Sequence, residues 1–425
     1  MSRAQAPRET SREAGPLRRN RDFLLLWSGA GIAFLGSRVG AIAYPLVAIK
    51  LTGSPSSAGV VAFASTLSMV MHLPAGVLVD RFDRRRMMIA CDAGRTLAVV
   101  SMVTALLTGT GSIPHLAAVA FVEGSLTTFY RIAERAAVPN LVPPEQLTLA
   151  MSRNEARERS GGLLGQPVGG ALFGLAAWLP FVGSTASYLM SLGTLLCIRK
   201  GLQDNSVRKD ERLTREIAEG FAWMWRHAFV RVTTLLIAGS NTLFQVLTLS
   251  LIVLIEGDGG SSTVVGLVLA ATGVGGIAGA LSASWCTERL RMPVIVLATN
   301  WIWAPLVILI AFVHEPLLLA LISAVSGFVG ALWSVAVSAY QLRITPDAIQ
   351  GRVLSAQLLC GFLPVPLGAL AGGWLLESRG VHTTVLILGA GMTLLAVASV
   401  VSPAMRQALA SDETGSRPGL RRPEE

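Results

Sequence analysis

Four ionisable residues stand inside stretches of sequence that are otherwise almost wholly apolar. Arg38 lies within GSRVGA near the middle of the run from Phe23 to Lys50, and Glu123 lies about midway along the run from His115 to Tyr130. Asp92 and Arg95, three apart, share one helix face near the start of the run from Met87 to Thr108. A charge at such a depth is expensive, turns away from lipid, and marks an ion pair or a path for substrate or ions. The chemistry open to this set is proton transfer and ion pairing. Desolvation and a neighbouring arginine act in opposite directions on a carboxyl, and their balance tunes a proton carrier. Glu123 is therefore either a proton carrier or one half of a static ion pair, with Arg38 as its natural partner. Arg38 has a second reading, direct contact with a substrate.

Other polar residues extend the candidate set. Glu155 and Arg159, four apart in SRNEARER, either line a vestibule or form a solvated turn. Asn241, Gln245 and Gln357 give the second half of the chain a polar but uncharged interior surface, which suits apolar cargo better than an ionic solute. The sequence contains no nucleotide-binding P-loop, no catalytic-triad spacing and no metal-ligand cluster. The four cysteines are far apart, lack CxxC spacing and read as small core residues. Neither an enzyme nor a cofactor is therefore expected, and any work the protein does is expected to draw on an ion gradient or on a solute's own gradient.

The elements that must position these residues are membrane helices. The chain has 425 residues, 52% hydrophobic and 14% charged, with a mean hydropathy of +0.58. That composition excludes an ordinary soluble protein. Runs long enough to span a bilayer are Phe23 to Lys50, Ala58 to Val79, Met87 to Thr108, His115 to Tyr130, Ser160 to Leu179 and Phe181 to Ile198. A second set runs Val232 to Ile255, Val264 to Cys286, Pro293 to Val313, Leu317 to Leu342, Ser355 to Leu376 and Val381 to Val401. The expected layout is an all-α integral membrane protein of twelve spans. A cytoplasmic tail covers 1–22, a first six-helix bundle 23–198, a linker 199–231, a second bundle 232–402, and a second tail 403–425. The first run is too long for a cleaved signal and is expected to remain as a span. The net charge of +9 sits in short loops and tails between the runs, which is the positive-inside pattern and not a nucleic-acid face. Both termini are expected in the cytoplasm, with the protein in the cell membrane. The tryptophans at 223, 225, 301, 303 and 333 read mostly as interfacial anchors.

The stretch Leu73 to Arg95 carries six charges within seven residues, Asp80 to Arg86, between two apolar runs. It resembles the signature loop between the second and third spans of the major facilitator superfamily. Gly76, Asp80, Arg81, Arg84 and Arg85 match the pattern, and Asp83 stands where a second glycine is usual. Asp tolerates the left-handed conformation that a tight turn can require, and Gly76, one turn below Asp80, would allow close helix contact at the membrane surface. A weak repeat supports the resemblance: VPPEQL before Gly169-Gly170 and ITPDAIQGR before Gly372-Gly373 are offset by roughly 200 residues. The run holding Gly161, Gly165, Pro167, Gly169 and Gly170 is similar to the glycine-proline signature of the drug:proton antiporters, with the proline one place late. Simple helix packing is the other reading of that run. The resemblance implies two pseudo-symmetric bundles, alternating access around a midplane cavity, and a conformational network joining Asp80 to Asp92 and Arg95. It further implies proton-coupled efflux of a small amphipathic or hydrophobic compound by a monomer, as in macrolide-efflux-type exporters. An uptake permease and a non-transporting sensor or scaffold are the alternatives.

Overall fold

The computed structural model describes residues 17–198, 200–202, 213–346 and 349–406. Most of the two expected tails, and 203–212 of the linker, lie outside the described residues. The first half contains α1 (Arg21–Thr52), α2 (Pro55–Leu67), α3 (His72–Arg81), α4 (Arg84–Thr108), α5 (Ile113–Leu141), α6 (Leu147–Leu175) and α7 (Leu179–Cys197). After α8 (Leu213–Arg226) come α9 (Ala228–Gly257), α10 (Ser262–Arg289), α11 (Met292–Ile310), α12 (Pro316–Ile344), α13 (Gln350–Phe362) and α14 (Val365–Val401). Eight helical stretches among the described residues are long and apolar enough to cross a membrane. The helices α5 and α6 are not among them, because they carry the charged clusters described below.

Local chemistry sets the helix limits. Asn20 accepts the amide N–H of Phe23 at 3.1 Å to start α1, and Gly53, at φ 68°, ends it in the left-handed conformation. Asp83 was expected to supply a left-handed turn. Instead its backbone is at φ −59°, ψ 117°, and its carboxylate accepts the Arg86 N–H at 2.8 Å as the N-cap of α4. The residue that replaces the usual glycine thus starts the next helix.

Two of the expected spans are broken. The run from Ala58 to Val79 passes through a 3-10 turn at Ser68–Met71 between α2 and α3. There the buried Ser68 packs so tightly on Gly124 that a Cβ at 124 would come 2.8 Å from the serine Cβ. The run from Ser355 to Leu376 is split between α13 and α14 just before Pro364. The eleventh and twelfth runs join within α14 through Gly380, at φ 76°.

Packing follows the two halves of the chain. In the first half α1 lies against α6 and α7, and α4 against α5 and α7; in the second, α10 packs on α12, and α14 on α9 and α11. The halves meet where α6 crosses α10 and where α2 crosses α14. These crossings lie at the end of the molecule that carries the charge-poor connections around Gly53, Gly109 and Gly259. The opposite end carries the arginine-rich connections.

Candidate functional site

Two rare side chains converge on the buried acid of α5. The chain has four tyrosines, and Tyr44 of α1 and Tyr188 of α7 each donate a hydrogen bond to Glu123, one to each carboxylate oxygen. Glu123 is 5% exposed. The Arg95 guanidinium lies 4.4 Å from the ring centre of Tyr188 and 4.6 Å from that of Tyr130, and it is ion-paired with Asp92. Asp92 also accepts from Ser191 Oγ at 2.7 Å, and Ser191 is 3.0 Å from the Tyr130 hydroxyl. Glu123, Tyr188, Arg95 and Asp92 therefore form one connected buried network across α4, α5 and α7, hydrogen-bonded at its two ends and joined in the middle by the Arg95 guanidinium over the Tyr188 ring. Within such a network every member orients the next, and removal of one leaves a buried partner unsatisfied.

The expected pair of Arg38 and Glu123 does not form. Glu123 is satisfied by the two hydroxyls, whereas Arg38 is exposed and lies over the Phe34 ring at 5.0 Å. Asp92 and Arg95 come together as their spacing predicts, but the network they join leads inward to Glu123. The Asp80 side chain lies outside the described residues. Gly76 has open space where a Cβ would stand, so the close helix contact expected there is absent from this arrangement. Arg81 is exposed. Arg84 donates to the Ala136 carbonyl at 2.9 Å, and Arg85 to the Leu195 and Leu196 carbonyls at 3.2 and 3.0 Å. Arg84 thus ties α4 to α5, and Arg85 ties it to the C-terminal carbonyls of α7, where a cation is favoured.

A second charged cluster, which the sequence reading missed, lies toward the basic end. Arg157 pairs with Glu134 at 3.0 Å, with both side chains nearly buried, and reaches the Trp27 carbonyl at 3.0 Å. Arg131 and Arg135 share Glu158 at 2.6 and 3.1 Å. A void of about 10 Å³, bounded in part by Arg95, Tyr130, Glu134 and Arg157, separates this cluster from the first. It is about the size that holds one water. Glu155 is paired only with Arg159, at 2.8 Å, and both are about half exposed. The pair stands on α6, not in a turn, and both residues border a hollow of about 590 Å³ at the basic end, so it is solvated and lines a hollow at once.

The second half contains a cavity of about 470 Å³. Asn241 and Gln357 line it as expected, the first donating to the Gly361 carbonyl at 3.1 Å and the second to Thr234 at 3.2 Å. Gln245 is not among its lining residues. Phe244, Trp303 and Trp333 supply an aromatic wall, with ring centres 4.8 and 5.6 Å apart in edge-to-face pairs. Trp303 and Trp333 are thus buried at 4% and 6% exposure, not interfacial anchors. Among the described residues, none that lines this cavity is ionisable.

A model of the major facilitator family described as transmembrane secretion effector matches residues 11–423. The chain belongs to that family. A multidrug efflux pump, Tap, of Mycolicibacterium fortuitum is 26% identical over 410 residues, covering 94% of this chain and 98% of that protein. Macrolide efflux protein A of Streptococcus pyogenes is 27% identical over 213 residues, 47% of this chain and 50% of that protein. Among solved structures, the nucleoside transporter NupG superposes with a TM-score of 0.74 at 14% identity, covering 92% of this chain and 99% of that chain. A bacterial homologue of the iron transporter ferroportin gives 0.72 at 16%, covering 91% and 98%. These likenesses establish the fold: the protein is a multi-pass, all-helical transporter of the major facilitator type.

In this secretion effector the glycine run of α6 serves two interfaces. Gly161, Gly165 and Gly169, spaced by four, face α1, where added Cβ atoms would meet Phe34, Arg38 and Val39. Gly170 faces Ser262 and Gly266 of α10, and a Cβ on Gly266 would lie 2.6 Å from the Gln166 carbonyl and 3.1 Å from the Pro167 Cα. The packing reading of this run is thus realised on both sides of the helix. The missed tyrosines carried a usable signal, since a hydroxyl inside an apolar run needs a polar partner. Glu134 was hidden because the fourth run was ended at Tyr130, although α5 continues to Leu141, and Arg157 because the fifth run was started at Ser160, although α6 begins at Leu147.

Proposed function

We propose that this protein exports small amphipathic compounds across the plasma membrane in exchange for protons, by alternating access of two six-helix bundles. The observation that carries the proposal is Glu123, a buried carboxyl whose two oxygens are held by hydroxyls and not by a fixed positive charge. A carboxyl so held can change protonation without leaving an arginine unpaired. The buried Asp92, the water-sized void and Glu134 lie between Glu123 and the basic end, where water can enter once the network opens, with Arg95 as a fixed charge beside them. The names of the relatives, a multidrug pump and a macrolide efflux protein, favour export as the direction. In this reading there are twelve crossings, both termini are cytoplasmic, the basic end faces the cytoplasm and the described arrangement is open inward. The protein works as a monomer, without nucleic acid, and draws on the proton gradient in place of a cofactor.

The test uses purified protein in liposomes with an imposed pH gradient. Wild-type protein should move a fluorescent amphipathic cargo uphill until a protonophore is added. Glu123→Gln should lose gradient-driven movement while retaining cargo exchange. Uphill export by Glu123→Gln at the wild-type rate would refute the assignment of Glu123.

A further inference from the structure

We infer that Arg38 is the cargo-binding cation of this transporter and that the cargo it takes is an amphipathic carboxylate. The inference rests on the reading of the chain as an exporter and deepens it by naming the charge of the molecule carried. At this depth of the first half, Arg95 faces Asp92, Arg157 faces Glu134, and Arg131 and Arg135 face Glu158. Arg38 has neither an ion pair nor a hydrogen bond among the described residues. One face of its guanidinium rests over Phe34, a ring that Arg131 approaches at 5.6 Å. With no hydrogen bond to another described residue, its N–H groups are open to a ligand. That geometry suits two-point recognition of a carboxylate, which a planar guanidinium accepts with paired charge-assisted hydrogen bonds.

Its placement agrees. On α1, Gly29, Gly36 and Gly40 face α7, while Arg38 stands on the opposite side, where its Cβ abuts Gly165 of α6. The helix α6 is the one that crosses to α10 of the second half, so Arg38 is turned toward the space between the halves and away from lipid. A cation without a direct partner in so apolar a chain is costly unless water or a counter-charge meets it; Glu158, the acid that acts on Arg38 at longer range, is already engaged by Arg131 and Arg135. Among the described residues, the cavity of the second half offers rings and amides and no acid, so these residues supply an apolar wall and nothing to attract a cationic drug.

The test compares three probes of one shape on the full chain in lipid nanodiscs: 1-pyrenebutyrate, 1-pyrenebutanol and 4-(1-pyrenyl)butyl-trimethylammonium. Saturable pyrene fluorescence is read against empty nanodiscs. The carboxylate should bind about ten- to a hundredfold more tightly than the alcohol, the worth of charge-assisted hydrogen bonds, and the ammonium most weakly. Arg38→Gln should abolish the preference for the carboxylate and leave the alcohol within about twofold of wild type, which also reports that the variant is folded. Arg38→Lys should restore part of the preference. The inference is overturned if the ammonium binds most tightly to wild type, if the carboxylate does not bind, or if Arg38→Gln weakens all three probes alike. Because binding is read without a gradient, a failure of proton-driven export in the Glu123 experiment leaves this result separately legible.

Discussion

Individual side chains in this protein divide into those that hold each other and those left open to change. Glu134 and Arg157 are of the first kind: both are nearly buried, and each satisfies the other. Glu134→Ala would strand a buried guanidinium and should destabilise the protein by about 3–5 kcal/mol, read from denaturant unfolding in detergent. The paired change Glu134→Met with Arg157→Met should recover most of that loss, because it removes both charges. Equal destabilisation by the single and paired changes would show that the ion pair is not what holds α5 to α6. Glu155→Gln, by contrast, touches a pair that is half exposed and should move stability by no more than about 1 kcal/mol.

Helix ends carry the next level of control. Glu377, in the connection that follows the first part of α14, reaches across to the other half and caps the start of α2. It accepts from the Ser54 hydroxyl and, at 3.0 Å, from the Ser56 N–H. Those hydrogen bonds, the Ser54 hydroxyl first, hold its carboxyl below the ordinary value of 4.5. The pKa is depressed when the cap is made, so the contact contributes fully above the ordinary value and is lost as pH falls through the lowered one. We expect the charge-poor end to stay closed from neutral pH down to that ordinary value and to loosen only in stronger acid. The check is the distance between spin labels at Thr110 and Ser261, across the two halves, as a function of pH. Loosening already near neutral pH would contradict the capping role. Glu377→Gln should remove the acid dependence, since the amide does not titrate in this range.

At the scale of the whole molecule, two crossings of similar construction close one end. Gly170 of α6 meets Gly266 of α10, and Gly59 of α2 meets Gly373 of α14, where a Cβ on Gly373 would stand 2.8 Å from the Gly59 Cα. No side chain separates the backbones, so the halves approach closely without hydrophobic interlocking, and the contact can part. At the basic end Gly76 has no such neighbour. Gly266→Val should push the crossing apart at a cost of about 1–3 kcal/mol, a shift of about five- to 150-fold in the balance between closed and open arrangements. The Thr110–Ser261 label distance should lengthen and transport should fall, with helical content unchanged. An unaltered distance would mean that the α6–α10 crossing does not set closure.

The sequence by itself determined the class of the protein, its helical runs and the loop signature, because a bilayer demands unbroken apolar length and leaves charge only at the ends or in protected positions. It also marked Glu123, Asp92 and Arg95, since a charge inside such a run is conspicuous. The pairs within one helix, Asp92 with Arg95 and Glu155 with Arg159, followed from spacing, but the partners that charges take across helices were decided by tertiary structure alone. Arg38 and Glu123 look complementary along the chain, yet the rotation of α1 brings Tyr44 to the acid and turns Arg38 toward the other half. Glu134 and Arg157 gave little sign because they lie where helices extend beyond their apolar runs, and only the packing of α5 on α6 buries them. The glycines of α6 were visible as a group, but their division between two interfaces depends on helix rotation, which spacing alone does not fix.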